Sequence, residues 1–478
     1  MKLAFRKPFA SSNTWLLVLL LALMPIKFLQ AQQTPVTLTF EEFMERVKNH
    51  HPMTFAAELQ PLRGQATVRQ ARGAFDPKAY TDLDQKYFKD SEYWNLLDGG
   101  LKIPTWFGIE VKGGYEQNSG EFQNPELETP DAGLWYAGIS VPIGQGLFID
   151  QRRATLRQAQ LFRQSTEAEQ QQMMNELLLA AGAAYWEWFQ AYHVLAIFDD
   201  AFLLADQRAA AVRVSAQLGD RPFIDTLEAG IQVQNRVLSQ QKARLDLQNS
   251  AALLSVFLWQ DGFVPVELAA DTRPLSREQW ASLPVDPNLF GQRDSLIVNH
   301  PMLLQSQLKL DQLRVEERWK REQLKPTLNL NYNALSEPVG GDPTTNYSVN
   351  NYKWGFGFSM PLLLRKERGG LQLTEIKVME AELGLYQKNV DLSYKADIAF
   401  NEWRISLQQA QGFAQVVTDY AGLLRGERQR FQAGESSLFL VNRREVSYIN
   451  AQVKLIEAMA KNQKAGLKTN YALGILNQ

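Results

Sequence analysis

The chain carries one plan twice. Asn49-His50-His51-Pro52 returns as Asn299-His300-Pro301, and Pro77 returns as Pro326 at the same distance downstream. Farther on, Ile139-Ser140-Val141-Pro142-Ile143 returns as Phe358-Ser359-Met360-Pro361-Leu362, and Gln217-Leu218-Gly219 as Gln432-Ala433-Gly434. Four anchors in one order define two structural repeats, each far longer than the roughly 20–50-residue units of a solenoid. The fold is therefore one architecture built twice, and a single template must explain both halves. The repeats run over 32–260 and 294–478. The linker between them, 261–293, holds Pro265, Pro274, Pro284 and Pro287, has no sustained period, and is expected to wrap the helical body with a short helix near Arg277.

Lys2, Arg6 and Lys7 precede an apolar run from Trp15 to Met24, and cleavage after Ala31 would complete a secretory signal peptide over 1–31. That run falls short of the roughly 20 residues a spanning helix needs, and no later stretch approaches that length. The 478 residues include no cysteine, so an exported form must hold together by burial or oligomerisation, without disulfides, a lipidated cysteine or thiolate metal ligands. The net charge of −2 leaves no basic footprint for nucleic acid. Four scattered histidines, no nucleophile motif and no glycine-rich phosphate loop disfavour an enzyme. No catalytic, cofactor-binding or metal-ligating residue is assigned, and no cofactor is expected.

Each repeat contains a long helix. Leu177, Ala181, Ala184, Trp188, Ala191, Leu195, Phe198, Phe202, Ala205, Ala209, Val212 and Ala216 follow at alternating steps of four and three, the seam of a heptad pattern. No proline stands between Pro142 and Pro222, so a helix from Asp150 to Leu218 would reach roughly 100 Å at about 1.5 Å per residue. Ala396, Phe400, Trp403, Leu407, Ala410, Ala414, Val417, Ala421 and Leu424 repeat the seam until Arg428 interrupts it. Gly219 and Gly434 suit left-handed caps, and Pro222 suits the first turn of a returning helix. In that helix Ile231, Leu238, Leu245 and Ala252 recur every seventh residue, with Gln234, Gln241 and Gln248 in the alternate layer.

The other kind of segment alternates. Trp354, Phe356, Phe358 and Met360 stand opposite Lys353, Gly355, Gly357 and Ser359, while Leu328, Leu330 and Tyr332 oppose Asn329, Asn331 and Asn333. In the first repeat Trp135, Ala137, Ile139 and Val141 oppose Tyr136, Gly138 and Ser140, and Phe107, Ile109 and Val111 oppose Gly108, Glu110 and Lys112. Period two means strands, and strands of about ten residues with an apolar face and a wet face suit a membrane barrel. Trp135, Trp354, Phe356 and Phe358 would then face lipid. A closed barrel needs about eight strands, more than one chain supplies, so several copies must share the closure. The rival reading is a secreted or periplasmic coiled-coil scaffold or adhesin, in which the aromatic faces pair as a soluble sandwich core.

Taken in order, the paired Asn-His-Pro starts, the strand-opening prolines Pro77 and Pro326, the strand ends before Pro142 and Pro361, and the turns at Gly219 and Gly434 resemble the TolC family of outer-membrane efflux and secretion channels. The resemblance implies an α+β membrane protein of a Gram-negative outer membrane: a homotrimer in which each chain gives about four strands to a twelve-stranded barrel. Long antiparallel helical hairpins would continue that barrel as a periplasmic tunnel. It also implies a periplasmic adaptor (membrane fusion protein) and an inner-membrane transporter as partners, in a tripartite efflux or type I secretion system. In this family the hairpin tips pinch the tube; the matching positions are Asp225, Glu228, Arg443 and Arg444, with Gly219, Pro222 and Gly434 at the turns that would dock the adaptor. The departure is length, because Pro77–Pro142 exceeds Pro326–Pro361 by about 30 residues, enough for a further hairpin within Tyr80–Pro104.

Overall fold

The computed structural model describes residues 36–281, 291–338, 342 and 347–477; the signal peptide assigned to 1–31 and the linker residues 282–290 lie outside the described residues. In the first repeat, helices α1 (Phe40–His50) and α2 (Pro52–Arg72) lead into strands β1 (Lys78–Phe88), β2 (Ser91–Pro104), β3 (Glu110–Ser119) and β4 (Leu134–Pro142). The long helices α3 (Gln151–Gln217) and α4 (Phe223–Ser255) follow, then a short ladder of β5 (Trp259–Gln260) and β6 (Val264–Pro265). The second repeat runs α5 (Arg293–Val298), α6 (Pro301–Glu322), β7 (Thr327–Ser336), β8 (Tyr352–Ser359), α7 (Arg365–Gln432) and α8 (Leu438–Ala472).

The repeated histidines explain themselves at once. His51 and His300 are N-caps: each Nδ1 accepts from the backbone N–H two residues on, Met53 at 3.1 Å and Met302 at 3.2 Å, and Pro52 and Pro301 open the helices. A cap acceptor satisfies one of the unpaired amides of a first turn, and proline fits there because its missing donor is not needed.

Helix α3 is 67 residues long and α7 is 68, with no internal proline to bend them. The seam of α3 is buried at Leu177, Ala181, Ala184 and Trp188, and again at Ala205, Ala209 and Val212. Between these, Ile197 and Ala201 take the buried positions while Leu195, Phe198 and Phe202 are only half-buried. A straight helix drifts by about 20° per heptad against a strict seven-residue repeat, so the contact line moves to a neighbouring stripe. The densest core lies midway along α3, where Tyr185, Trp188 and Phe189 are fully buried beside Phe43 of α1 and Ile456 and Leu467 of α8. Tyr185 Oη donates to the Leu38 carbonyl at 2.8 Å and accepts from Leu275 N at 3.4 Å, which draws the connecting segment onto this core. In that segment the short helix is a single 3₁₀ turn, Arg277–Gln279.

Among the described residues, six strands form one curled antiparallel sheet in the order β1-β2-β3-β4-β7-β8, apart from the β5–β6 ladder. It has six strands where the family resemblance implies about four. The first repeat supplies two strands more than the second, in keeping with its extra length, and its outermost hairpin, β1–β2, is joined to β3 over ten residues, Asn95–Pro104 with Glu110–Ser119. Strand β3 begins at Glu110 rather than Phe107, because Gly108 at φ +86° turns the chain between β2 and β3.

Candidate channel wall and tip

Strand register sorts every side chain onto one of two faces. Ile139 stands opposite Val111 on β3 and Tyr332 on β7, and Tyr332 stands opposite Trp354 on β8. One residue along, the other face begins: Lys112 opposite Gly138, Gly138 opposite Asn333, Asn333 opposite Lys353. Trp135, Trp354, Phe356 and Phe358 all lie on the apolar face and all are exposed, Phe358 by 64 %. No second sheet covers them among the described residues. This is the arrangement a bilayer tolerates and water does not.

The opposite face is charged in bands. Lys78, Lys102 and Lys112 align across β1, β2 and β3, in a row that ends at Lys353 on β8. Four residues along β1 from Lys78, Asp82 aligns with Asp98 and Glu116. Between the bands, Tyr136 lies across Gly114, where a Cβ would come within 2.7 Å of its ring. The missing side chain lets Tyr136 Oη reach over β3 and donate to Asp98 Oδ1 at 2.8 Å, while Tyr80 Oη contacts Tyr136 Oη. Strands β1, β2 and β4 are thereby tied together on the polar face.

At the far end of the long helices the two turns are built alike. Gly219 (φ +82°) and Gly434 (φ +79°) take the left-handed conformation. Gly219 N donates to the Ala216 carbonyl and Asp220 N to that of Ser215; Gly434 N donates to Phe431 and Glu435 N to Arg430. These are two Schellman motifs, which cap helices with a glycine because only glycine enters that region without strain. Pro222 stands one position earlier than expected, as the N-cap residue of α4 rather than in its first turn.

The four acidic and basic residues assigned to the tip have different surroundings. Asp225 pairs within its own hairpin, Oδ2 lying 3.6 Å from Arg221 Nη1. Glu228 reaches the other hairpin and accepts from Asn442 Nδ2 at 2.9 Å. Arg444 Nε lies 3.7 Å from Glu427 Oε2 across α7 and α8, and Arg443 is exposed. Sequence reasoning missed the cluster between them. Buried Glu445 on α8 accepts from Arg208 of α3 and from Arg428 Nη2 of α7 at 3.1 Å, and Arg208 Nη1 donates to Asn442 Oδ1 at 2.8 Å. Arg236 of α4 is buried beside them; burial and the like charge of Arg208 lower its pKa below the ordinary guanidinium value, against the attraction of Glu445. One carboxylate thus joins both hairpins. The only sequence signal was Arg428, which breaks an otherwise apolar seam.

Comparison with known proteins agrees with this geometry. The outer membrane efflux protein family model matches residues 293–473, nearly the whole of the second repeat. No curated protein matches the chain. Among solved structures, the Neisseria gonorrhoeae MtrE outer membrane channel in its open state superposes with a TM-score of 0.65 at 13% identity, covering 91% of this chain and 89% of that one. The Campylobacter jejuni CmeC outer membrane channel gives 0.63 at 14%, covering 91% and 85%. The outer membrane protein VceC from Vibrio cholerae gives 0.63 at 13%, covering 91% and 95%. At such identities the likeness concerns the fold, a curled barrel sheet continued by long helical hairpins, and it spans both repeats.

Proposed function

We propose that three copies of this chain form an outer-membrane exit duct without catalysis, reaching into the periplasm of a Gram-negative bacterium. A periplasmic adaptor and an inner-membrane transporter would supply cargo, as in tripartite efflux or type I secretion. The observation that carries this reading is the six-stranded sheet, which among the described residues has one uncovered aromatic face, one charged face and two unpaired edges. A sheet in hydrocarbon needs every backbone group paired, so it must close on other copies. The helices support the same closure. Ile231, Leu238 and Leu245 on α4 are 55, 63 and 54 % exposed in one chain, an apolar ladder at heptad spacing that a neighbouring helix would cover.

At the tip, Asp225, Glu228, Arg443 and Arg444 would surround a periplasmic aperture. The Glu445 cluster would act as the latch that keeps each chain's two hairpins together in the closed form. The exposed Phe223, Ile224 and Leu227 beside the turns at Gly219, Pro222 and Gly434 offer an apolar surface for the adaptor. Membrane fractionation followed by sizing in mild detergent tests the proposal: the expected result is an outer-membrane trimer. A soluble protein extracted without detergent, or a well-folded monomer, would overturn it, since closure makes the folded state inseparable from the oligomer.

A further inference from the structure

We propose that the hairpin β1–β2 is part of the barrel wall itself, so that three copies close an eighteen-stranded barrel through a seam between β1 of one copy and β8 of the next. This rests on the trimeric membrane reading above.

Four observations point there. The hairpin keeps the inside–outside register of the rest of the sheet. Leu83 and Leu97 stand opposite each other on the apolar face, and Asp82 and Asp98 on the polar one. Tyr136 of β4 holds Asp98 and contacts Tyr80 from the polar side, so the hairpin is fixed in the wall and does not fold away. Among the described residues, nothing pairs with the outer edge of β1 or of β8. Six strands in alternating directions also leave those two edges running oppositely, so their seam would be antiparallel like every other pairing in the sheet.

A twelve-stranded ring would instead need β3 to abandon its ten-residue pairing with β2 and take β8 of a neighbour. The hairpin would then lie in lipid with open edges on both sides, which hydrocarbon does not tolerate. Width is the consequence. With strands about 4.8 Å apart and tilted about 40°, eighteen strands give a barrel about 36 Å across, against about 24 Å for twelve.

Because the chain has no cysteine, the seam can be mapped by disulfide scanning in the full-length protein. Ala79→Cys or Leu83→Cys, each combined with Trp354→Cys or Phe358→Cys, places both thiols on the apolar faces of the two edge strands. A parallel set replaces the β1 position with Val111→Cys on β3. After oxidation of outer-membrane preparations, at least one β1–β8 pair should convert most monomer on denaturing gels into dimer and trimer, reversibly with reductant. Single-cysteine controls and the β3–β8 set should give no trimer. A covalent trimer from the β3–β8 set would overturn the proposal. So would the absence of a ladder from every β1–β8 pair in a preparation that sizes as a trimer. A preparation that sizes as a monomer would overturn the trimeric reading instead.

Discussion

Glu445→Gln isolates the latch from everything around it. The substitution keeps the shape of the side chain but removes the one negative charge between Arg208 and Arg428, with Arg236 buried alongside. Breaking a buried ion pair costs about 3–5 kcal/mol; the lower end applies, since Arg428 is 40 % exposed and can regain water. If about 3 kcal/mol falls on the closed tip, each chain's equilibrium moves by about a hundredfold, enough to carry a 1:99 population close to parity. Single-channel recording in planar bilayers should therefore show a larger or more frequently open state. Replacing the whole cluster together, Arg208→Met, Arg236→Met, Arg428→Met and Glu445→Leu, should close the tip again, because well-packed apolar groups replace a complete buried ionic cluster at little cost. A Glu445→Gln channel with unchanged conductance and dwell times would refute the latch.

Three further outcomes follow from the geometry. Phe358→Arg should impair outer-membrane assembly at about 2–4 kcal/mol, whereas Gly357→Arg on the polar face should assemble and reduce conductance; equal tolerance at both sites would count against a membrane strand. Gly64→Ala should lower the melting temperature, because a Cβ there would lie 2.9 Å from Arg163 Cα and against Thr166, and α2 would have to move off α3. Burial lowers the pKa of His51, His193 and His300, so the folded chain resists protons that the unfolded chain accepts near pH 6.5, about the free value. Stability is then complete above about pH 6.5 and falls as the pH drops from there through the lower folded values; thermal melts in acid should show it, with a shallower slope for His300→Asn, which can still cap α6.

Much of this architecture was legible because it is written locally. The glycine turns and the proline-free spans of α3 and α7 are short-range signals, and each lies where its chemistry demands; the repeated Asn-His-Pro anchors were legible as anchors, and the structure adds that His51 and His300 cap the helices they open. The place of β1–β2 in the sheet was not legible. On the apolar side of β1 only Leu83 is strongly apolar, beside the small Ala79 and the polar Thr81 and Gln85, so the period-two contrast with Asp82, Asp84 and Lys86 is faint, and the register through β2 to β3 is what makes the faces plain. The latch was hidden for another reason. Arg208 and Glu445 sit in opposite repeats, each looks like an ordinary solvated residue on its own helix, and only the packing of the two hairpins makes them neighbours.

The sheet also implies an order of folding. Strands β1 to β4 form a meander in which every partner is close in the chain, but β4 must find β7 across everything between residues 142 and 327. Closing so long a loop from a disordered chain is entropically costly and slow. If α3 and α4 zip first, pivoting on Gly219, and α6 then continues the return along the remaining half of α3, most of that length folds back on itself, and the two strand ends are delivered to the same level by a rod. The hairpin is then a scaffold for synthesis as well as a wall, and variants that loosen it should accumulate chains whose halves are each folded but whose sheet is still in two pieces.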